Sequence, residues 1–297
     1  MSASNNRIFS IVSEQEISRL DEMMKNFDLD VSISMSYIRR IQGLQFKHLE
    51  RRFSGIQGNT LKRYMHQSYP SMRPLHIVAA YSWITMVPMT AFFTNLGKKK
   101  FYSGMNSNLV EALACIGRLP TETLDSFLAM ICSMINKESR LEFLTFRSKL
   151  ESEYGKMDDH SHLFPPDILD LDVFAIDYYR SVAIAVKKFR EENNLSIATM
   201  SRVLGLSKHS YSALENPNKT THFPVSIGFR VMQGFQLNTH VNFTSEMKYF
   251  PEFHKLRQVQ HIQHVRERLT VEALRRLGES ERESMVKILI ILLDTYK

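Results

Sequence analysis

Between Leu195 and Asn216 the apolar residues fall into two short helical patterns separated by one glycine. Met200, Val203 and Leu204 share one face of the first pattern, and Tyr211 and Leu214 share one face of the second. Ser196 and Ser207 stand at the N-cap positions, where a side-chain oxygen accepts an otherwise unpaired N–H of the first turn. Gly205 permits the left-handed backbone that ends the first helix, and Leu206 plugs the turn. The pattern is two short helices joined by a tight turn.

The same spacing occurs upstream. Leu44, Leu49 and Phe53 precede Leu195, Met200 and Leu204 by 151 positions, and Ile56, Leu61 and Tyr64 precede Leu206, Tyr211 and Leu214 by 150. One extra residue in the turn at Ser54-Gly55 accounts for the slip. Pro74 and Phe93 keep the 150 offset to Pro224 and Phe243, and Arg118-Leu119 recurs as Arg276-Leu277 at an offset of 158. These offsets describe a repeat of roughly 120 residues, holding the helix pair, one or two packing helices and a C-terminal helical piece. The alternative is chance similarity between two amphipathic stretches.

Helical periodicity also runs through the rest of the chain, for example over Ile17–Phe27, Ser34–Gln42, Leu75–Thr85, Leu109–Ile116, Thr121–Asn136, Val259–Leu277 and Glu281–Thr295. With 11 Gly and 9 Pro in 297 residues, a turn-rich all-β protein is disfavoured, and the fold class is all-α. The break at Leu163-Phe164-Pro165-Pro166-Asp167 suggests four regions. They are an N-terminal helical extension (1–32), a first domain (33–155), a linker (156–172) and a second domain (173–297). The uncharged run Ile77–Phe93 is shorter than a membrane span and is interrupted by Ser82, Thr85, Pro88 and Thr90, so it reads as a buried helix plus turn. Two cysteines exclude a disulfide scaffold and a multi-cysteine zinc module. Met1 to Asp30 is polar and acidic, unlike a signal peptide, and the expected location is the cytoplasm.

Charge separates the two helix pairs. Residues 37–76 carry Arg39, Arg40, Lys47, Arg51, Arg52, Lys62, Arg63 and Arg73 against the single acid Glu50. That window alone matches the +7 net charge of the whole chain. A cationic patch of this kind favours a polyanion, because neutralising phosphates releases counterions. The alternative is a solvated basic face without a partner.

Two short helices joined by a glycine turn form a helix-turn-helix, whose second helix can enter the major groove of DNA. The run from Leu195 to Glu215 resembles the lambda-repressor/Cro-like (XRE-type) helix-turn-helix family. Leu195, Ser196, Met200, Ser201, Leu204, Gly205, Leu206, Ser207, Ser210, Tyr211, Ser212 and Glu215 fall at matching positions. Two positions depart from it: Ile197 replaces the family's Gln, and Ala213 stands where relatives often have Arg. The resemblance implies a DNA-binding transcriptional regulator that acts as a dimer, with double-stranded DNA as its partner.

The residues expected to contact DNA divide unequally between the copies. In the first they are Arg39, Arg40, Gln45, Lys47, Gln57, Gly58, Asn59, Thr60, Lys62 and Arg63; in the second, Ser207, Lys208, His209, Ser210 and Ser212. Gln and Asn can pair with adenine edges, and Arg and Lys can pair with guanine or grip phosphate, so the first copy is the stronger contact. The alternative for both sets is the solvent face of an amphipathic helix. The stripe Met285, Ile288, Leu289, Leu292 and Leu293, and a similar one at Phe127, Met130, Ile131, Met134 and Ile135, want a partner helix inside the chain or in a homodimer.

No phosphate-binding loop, dinucleotide turn, His-Glu-x-x-His or Gly-x-Ser-x-Gly occurs, so no catalytic residue, cofactor or metal site is expected. Asp158-Asp159-His160-Ser161-His162 reads as a solvated loop, and His261 and His264 as surface or DNA-facing side chains. A peptide or small-molecule effector is compatible with the family but not identifiable. The rival reading is a protein-interaction or assembly module that uses helix-turn-helix units without reading DNA.

Overall fold

The computed structural model describes residues 13–93, 105, 108–234 and 252–296. Among them the chain is all-α, with fourteen α-helices and one pair of two-residue strands. In order these are α1 (Glu14–Met24), α2 (Phe27–Ile41), α3 (Phe46–Arg51), β1 (Phe53–Ser54), α4 (Gly58–Tyr64), α5 (Leu75–Thr85), α6 (Leu109–Ile116), α7 (Thr121–Met134) and α8 (Lys137–Tyr154). There follow β2 (Leu169–Asp170), α9 (Leu171–Glu192), α10 (Ile197–Leu204), α11 (Lys208–Leu214), α12 (Ser226–Gly234), α13 (Phe253–Leu274) and α14 (Glu279–Thr295). No helix among the described residues is long and apolar enough to cross a membrane.

Where the periodicity is clean, the expected bounds match the structure: α5, α6, α10 and α11 agree to the residue. The early helices differ. α1 starts at Glu14 because the Ser13 hydroxyl accepts the Glu16 N–H at 3.2 Å. α2 starts at Phe27, seven residues before the expected Ser34. Phe27, Val31, Met35 and Ile38 are all buried on one stripe of it, although serines and aspartates intervene. The buried Ser32 hydroxyl is satisfied by donating to the Leu29 carbonyl at 2.7 Å, which lets a polar residue sit inside a helix.

The chain divides into two compact units built from interleaved segments rather than from consecutive blocks at 33–155 and 173–297. The first unit takes its described residues from Met1–Asp28, Ser71–Ile77 and Leu171–Phe253. The second takes them from Leu29–Pro70, Val78–Asp170 and His254–Lys297.

In the first unit α10 packs on α11 and α12, α11 packs on α9, and α1 lies against α12. The core holds Leu20, Phe174, Tyr178, Met200, Val203, Leu204, Tyr211, Leu214, Val225 and Phe229. Pro74 bridges Pro224, with Leu75 N–H donating to the Phe223 carbonyl and Val225 N–H to the Arg73 carbonyl, each at 2.8 Å. These bonds tie residues 71–77 into this unit. Beside them lies buried His76, with Nδ1 3.1 Å from the Tyr179 hydroxyl and its ring 4.5 Å from that of His222.

Burial, with the neighbouring His222, lowers the His76 pKa from 6.5 to about 3. The unfolded chain therefore binds this proton between about pH 6.5 and 3 while the folded chain does not. Stability is full above pH 6.5 and falls as pH drops through that window, by up to about 1.4 kcal/mol per pH unit. Urea unfolding at pH 7.0 and 5.0 should show this loss, and His76→Phe should flatten it. An unchanged pH slope in His76→Phe contradicts the assignment.

In the second unit α14 packs on α6. Met285, Leu289 and Leu293 are all buried within the chain, so that stripe has its partner helix inside the same polypeptide. Trp83 is buried, with its indole N–H donating to the Leu163 carbonyl at 3.2 Å. Residues 156–172, expected as a linker, are bonded into this unit up to Asp170. Thr121 Oγ1 donates to the Asp158 carbonyl at 2.9 Å, and β2 runs parallel to β1 with Leu169 N–H donating to the Arg52 carbonyl at 2.8 Å. The expected solvated loop at 158–162 is also anchored. His160 is buried, with Nε2 2.8 Å from the Gly117 carbonyl, while Asp159 accepts from the Ser161 hydroxyl at 2.9 Å.

Candidate nucleic-acid interface

The helix pair of the second unit is α3 and α4. Leu49 on α3 and Leu61 and Met65 at α4 are buried, which turns the remaining positions outward. On α3 the exposed residues include Lys47, His48 and Arg51, with Lys47 and Arg51 one helical turn apart. On α4 they are Asn59, Lys62 and Arg63, the i, i+3, i+4 positions of one face. Gln45 and Gln57 are the exposed N-cap residues of the two helices, and neither spends its side chain on a cap hydrogen bond. Thr60 is half-buried.

Gly58 plays a packing part. A Cβ there would lie 2.8 Å from Oε1 of Glu50, so the glycine leaves room for the only acid of this cationic stretch. The Glu50 carboxylate thus lies at the positive end of α4, where an anion is favoured. Gly55, at φ +75°, makes the turn before α4.

The eight cations of residues 37–76 separate into three groups. Arg52 donates to the carbonyls of Asp167 and Pro166 at 2.7 and 2.8 Å, and buried Arg73 donates to the Ser71 carbonyl. Both hold the fold. Half-buried Arg39 donates to the Leu44 carbonyl at 2.7 Å and stacks 4.3 Å over the Phe46 ring, and Lys62 also approaches that ring at 5.8 Å. Arg40, Lys47, Arg51, Lys62 and Arg63 are exposed and have no acidic partner among the described residues. Arg51 and His48 were not among the expected contact residues. The i, i+4 spacing of Lys47 and Arg51 was the signal that could have added Arg51.

The helix pair of the first unit, α10 and α11, is organised differently. Gly205 ends α10 in the left-handed conformation at φ +66°. Ser196 caps α10 through the Thr199 N–H, and Ser207 caps α11 through the Ser210 N–H at 3.1 Å. The Ser210 hydroxyl pairs with that of Ser207, and Ser212 Oγ donates to the Lys208 carbonyl at 3.0 Å. The serine hydroxyls are therefore engaged within their own helix, and Lys208 and His209 are the exposed side chains without such a bond.

Acids engage three arginines of this unit. Arg190 pairs with Glu215 at 2.6 Å, Arg202 pairs with Glu14, and Arg230 pairs with Asp21. The hydrogen bond to Glu215 holds Arg190 above its ordinary pKa, and burial pushes the Tyr211 hydroxyl up. Arg230 also donates to the Val203 carbonyl at 3.2 Å, directly beneath the turn at Gly205.

The remaining candidates are structural. His261 Nε2 lies 2.6 Å from the Tyr154 carbonyl, and His264 packs edge-on to the Tyr154 ring, so neither is a free surface histidine. Among the described residues no group of three or more His, Cys, Asp or Glu is placed to hold a metal ion. Cys115 is buried, and desolvation raises the Cys132 thiol pKa. No family model, no curated protein and no solved structure matches this chain.

Proposed function

We propose that the chain is a sequence-specific double-stranded DNA-binding transcriptional regulator that reads the major groove mainly with α4. One observation carries the reading. The polar edge Asn59, Lys62 and Arg63 is exposed on a short helix, amid exposed cations that no acid among the described residues neutralises. Phosphate contacts from Arg40, Lys47 and Arg51 would position the helix, and base-edge contacts from Asn59 and Arg63 would supply specificity. The reading assigns the chain no catalysis and places it in a compartment that holds DNA.

Binding to a random duplex across a salt series tests this. Engaging five phosphates gives a slope of roughly −4 to −5 in log K against log salt. Affinity that is absent at low salt, or that ignores salt, sinks the reading.

Specific observations favour a second reading, protein interaction, for other surfaces. In the first unit Ile197, at the family's Gln position, is 39% exposed, while Arg190 and Arg202 are paired with acids. On α7 and α8, Met130, Met134, Leu141 and Leu144 are exposed apolar side chains.

A further inference from the structure

The described elements recur along the chain at fixed spacings. α4 and α11 span Gly58–Tyr64 and Lys208–Leu214, 150 apart at both ends. Gly43 and Asn194, 151 apart, both take positive φ, at 64° and 52°. Gly55 and Gly205, 150 apart, do so at 75° and 66°. Asp28 accepts the Arg73 N–H at 2.8 Å, and the Tyr179 hydroxyl accepts the Phe223 N–H at 3.0 Å, again 150 to 151 apart on each side.

Downstream the offset is 158. α6 ends at Ile116 and α13 at Leu274; Pro120 and Gly278 then stand at the N-caps of α7 and α14. Buried Phe127, Leu128, Ile131 and Ile135 have Met285, Val286, Leu289 and Leu293 as buried counterparts.

One contact joins the copies through equivalent positions. At the Pro74–Pro224 bridge, Leu75 N–H donates to the Phe223 carbonyl, and Val225 N–H returns the same bond to the Arg73 carbonyl. Each bond is the other with counterparts exchanged, which is the defining property of a two-fold, self-complementary contact between identical subunits. Within the second unit, α14 of the later copy packs on α6 of the earlier one. Arg266, also of the later copy, donates to the Ile116 and Leu119 carbonyls at the α6–α7 junction. The α14 stripe, which could have held two chains together, is consumed inside one.

We infer that this chain is a dimer fused into a single polypeptide. Resting on the DNA-binding reading above, its ligand is a duplex with two unlike half-sites, bound by one chain. The half-sites differ because the exposed edges differ: Gln57, Asn59, Lys62 and Arg63 in one copy, Lys208 and His209 in the other. A second copy of the chain is not needed, in contrast to the homodimer that the family resemblance implies.

The test is selection of bound duplexes from a random library with the full chain, followed by the mass of the free and bound protein by sedimentation equilibrium. The expected result is a single chain of 34.6 kDa, one chain per duplex, and selected sites made of two dissimilar halves. Two chains on a palindrome overturn the fused dimer and leave the DNA reading standing. A single chain that selects no duplex supports the fused dimer and overturns the DNA reading together with the ligand named here.

Discussion

Replacing Lys62 and Arg63 together by alanine weakens duplex binding by about 10- to 100-fold near 100 mM salt and lowers the salt slope by about 2. Both side chains are exposed on the outer face of α4 and have no acidic partner among the described residues, so their removal costs the fold little. Leu61, between Thr60 and Lys62, holds the helix from its buried side and stays in place. Alanine also has the highest helix propensity, so a loss of α4 is not expected to mimic a loss of contact. The matching double substitution of Lys208 and His209 is expected to cost less than about fivefold, because the neighbouring arginines of that unit are already paired with Glu215, Glu14 and Asp21. The measurement is fluorescence anisotropy of both variants on one duplex at several salt concentrations, with circular dichroism to check the fold. Equal losses from the two pairs would contradict the asymmetry, and an unchanged salt slope in the first variant would remove α4 from the phosphate contact.

What the sequence made legible is local. Ser196, Gly205 and Ser207 announce α10 and α11 to the residue, because caps and a left-handed glycine act within one turn of chain. The exposed edge of α4 follows from the burial of Leu61 alone, through helical spacing. Long-range arrangement was not legible. The cluster of prolines at 165–166 looks like a linker, yet the Pro166 and Asp167 carbonyls are where Arg52 docks, a partner more than one hundred residues away. The stripe on α14 announces that it needs a neighbour without saying which, and α6 is that neighbour. The interleaving of the units depends on the bridge at Pro74 and Pro224, two residues that periodicity marks only as breaks. The hardest element to read was α13, where Gln260, Gln263, Arg266, Glu267, Thr270 and Glu272 look like a solvent face and are all buried.

Arg266 gives that buried polar helix its largest expected effect on stability. Its side chain is wholly enclosed, and its guanidinium donates to the Ile116 carbonyl at 2.7 Å, to the Leu119 carbonyl at 2.5 Å and to Thr121 Oγ1 at 3.4 Å. Ile116 is the last residue of α6, where carbonyls lack intrahelical partners and a positive charge complements the dipole. Burial lowers the guanidinium pKa to about 10, with Asp125 opposing the shift, so the group stays charged at neutral pH. Arg266→Met keeps most of the stem but leaves those carbonyls without a donor in a site closed to water. The expected cost is about 3–5 kcal/mol, read as a lower urea midpoint at an unchanged slope. Arg266→Lys retains the charge but cannot fork between two carbonyls, so an intermediate loss is expected. Because α6 and α7 meet at this junction and α14 packs on α6, the whole second unit should unfold in the same transition, taking α3 and α4 with it. A cost below about 1 kcal/mol in Arg266→Met would mean that water can reach those carbonyls and that this guanidinium does not hold the junction.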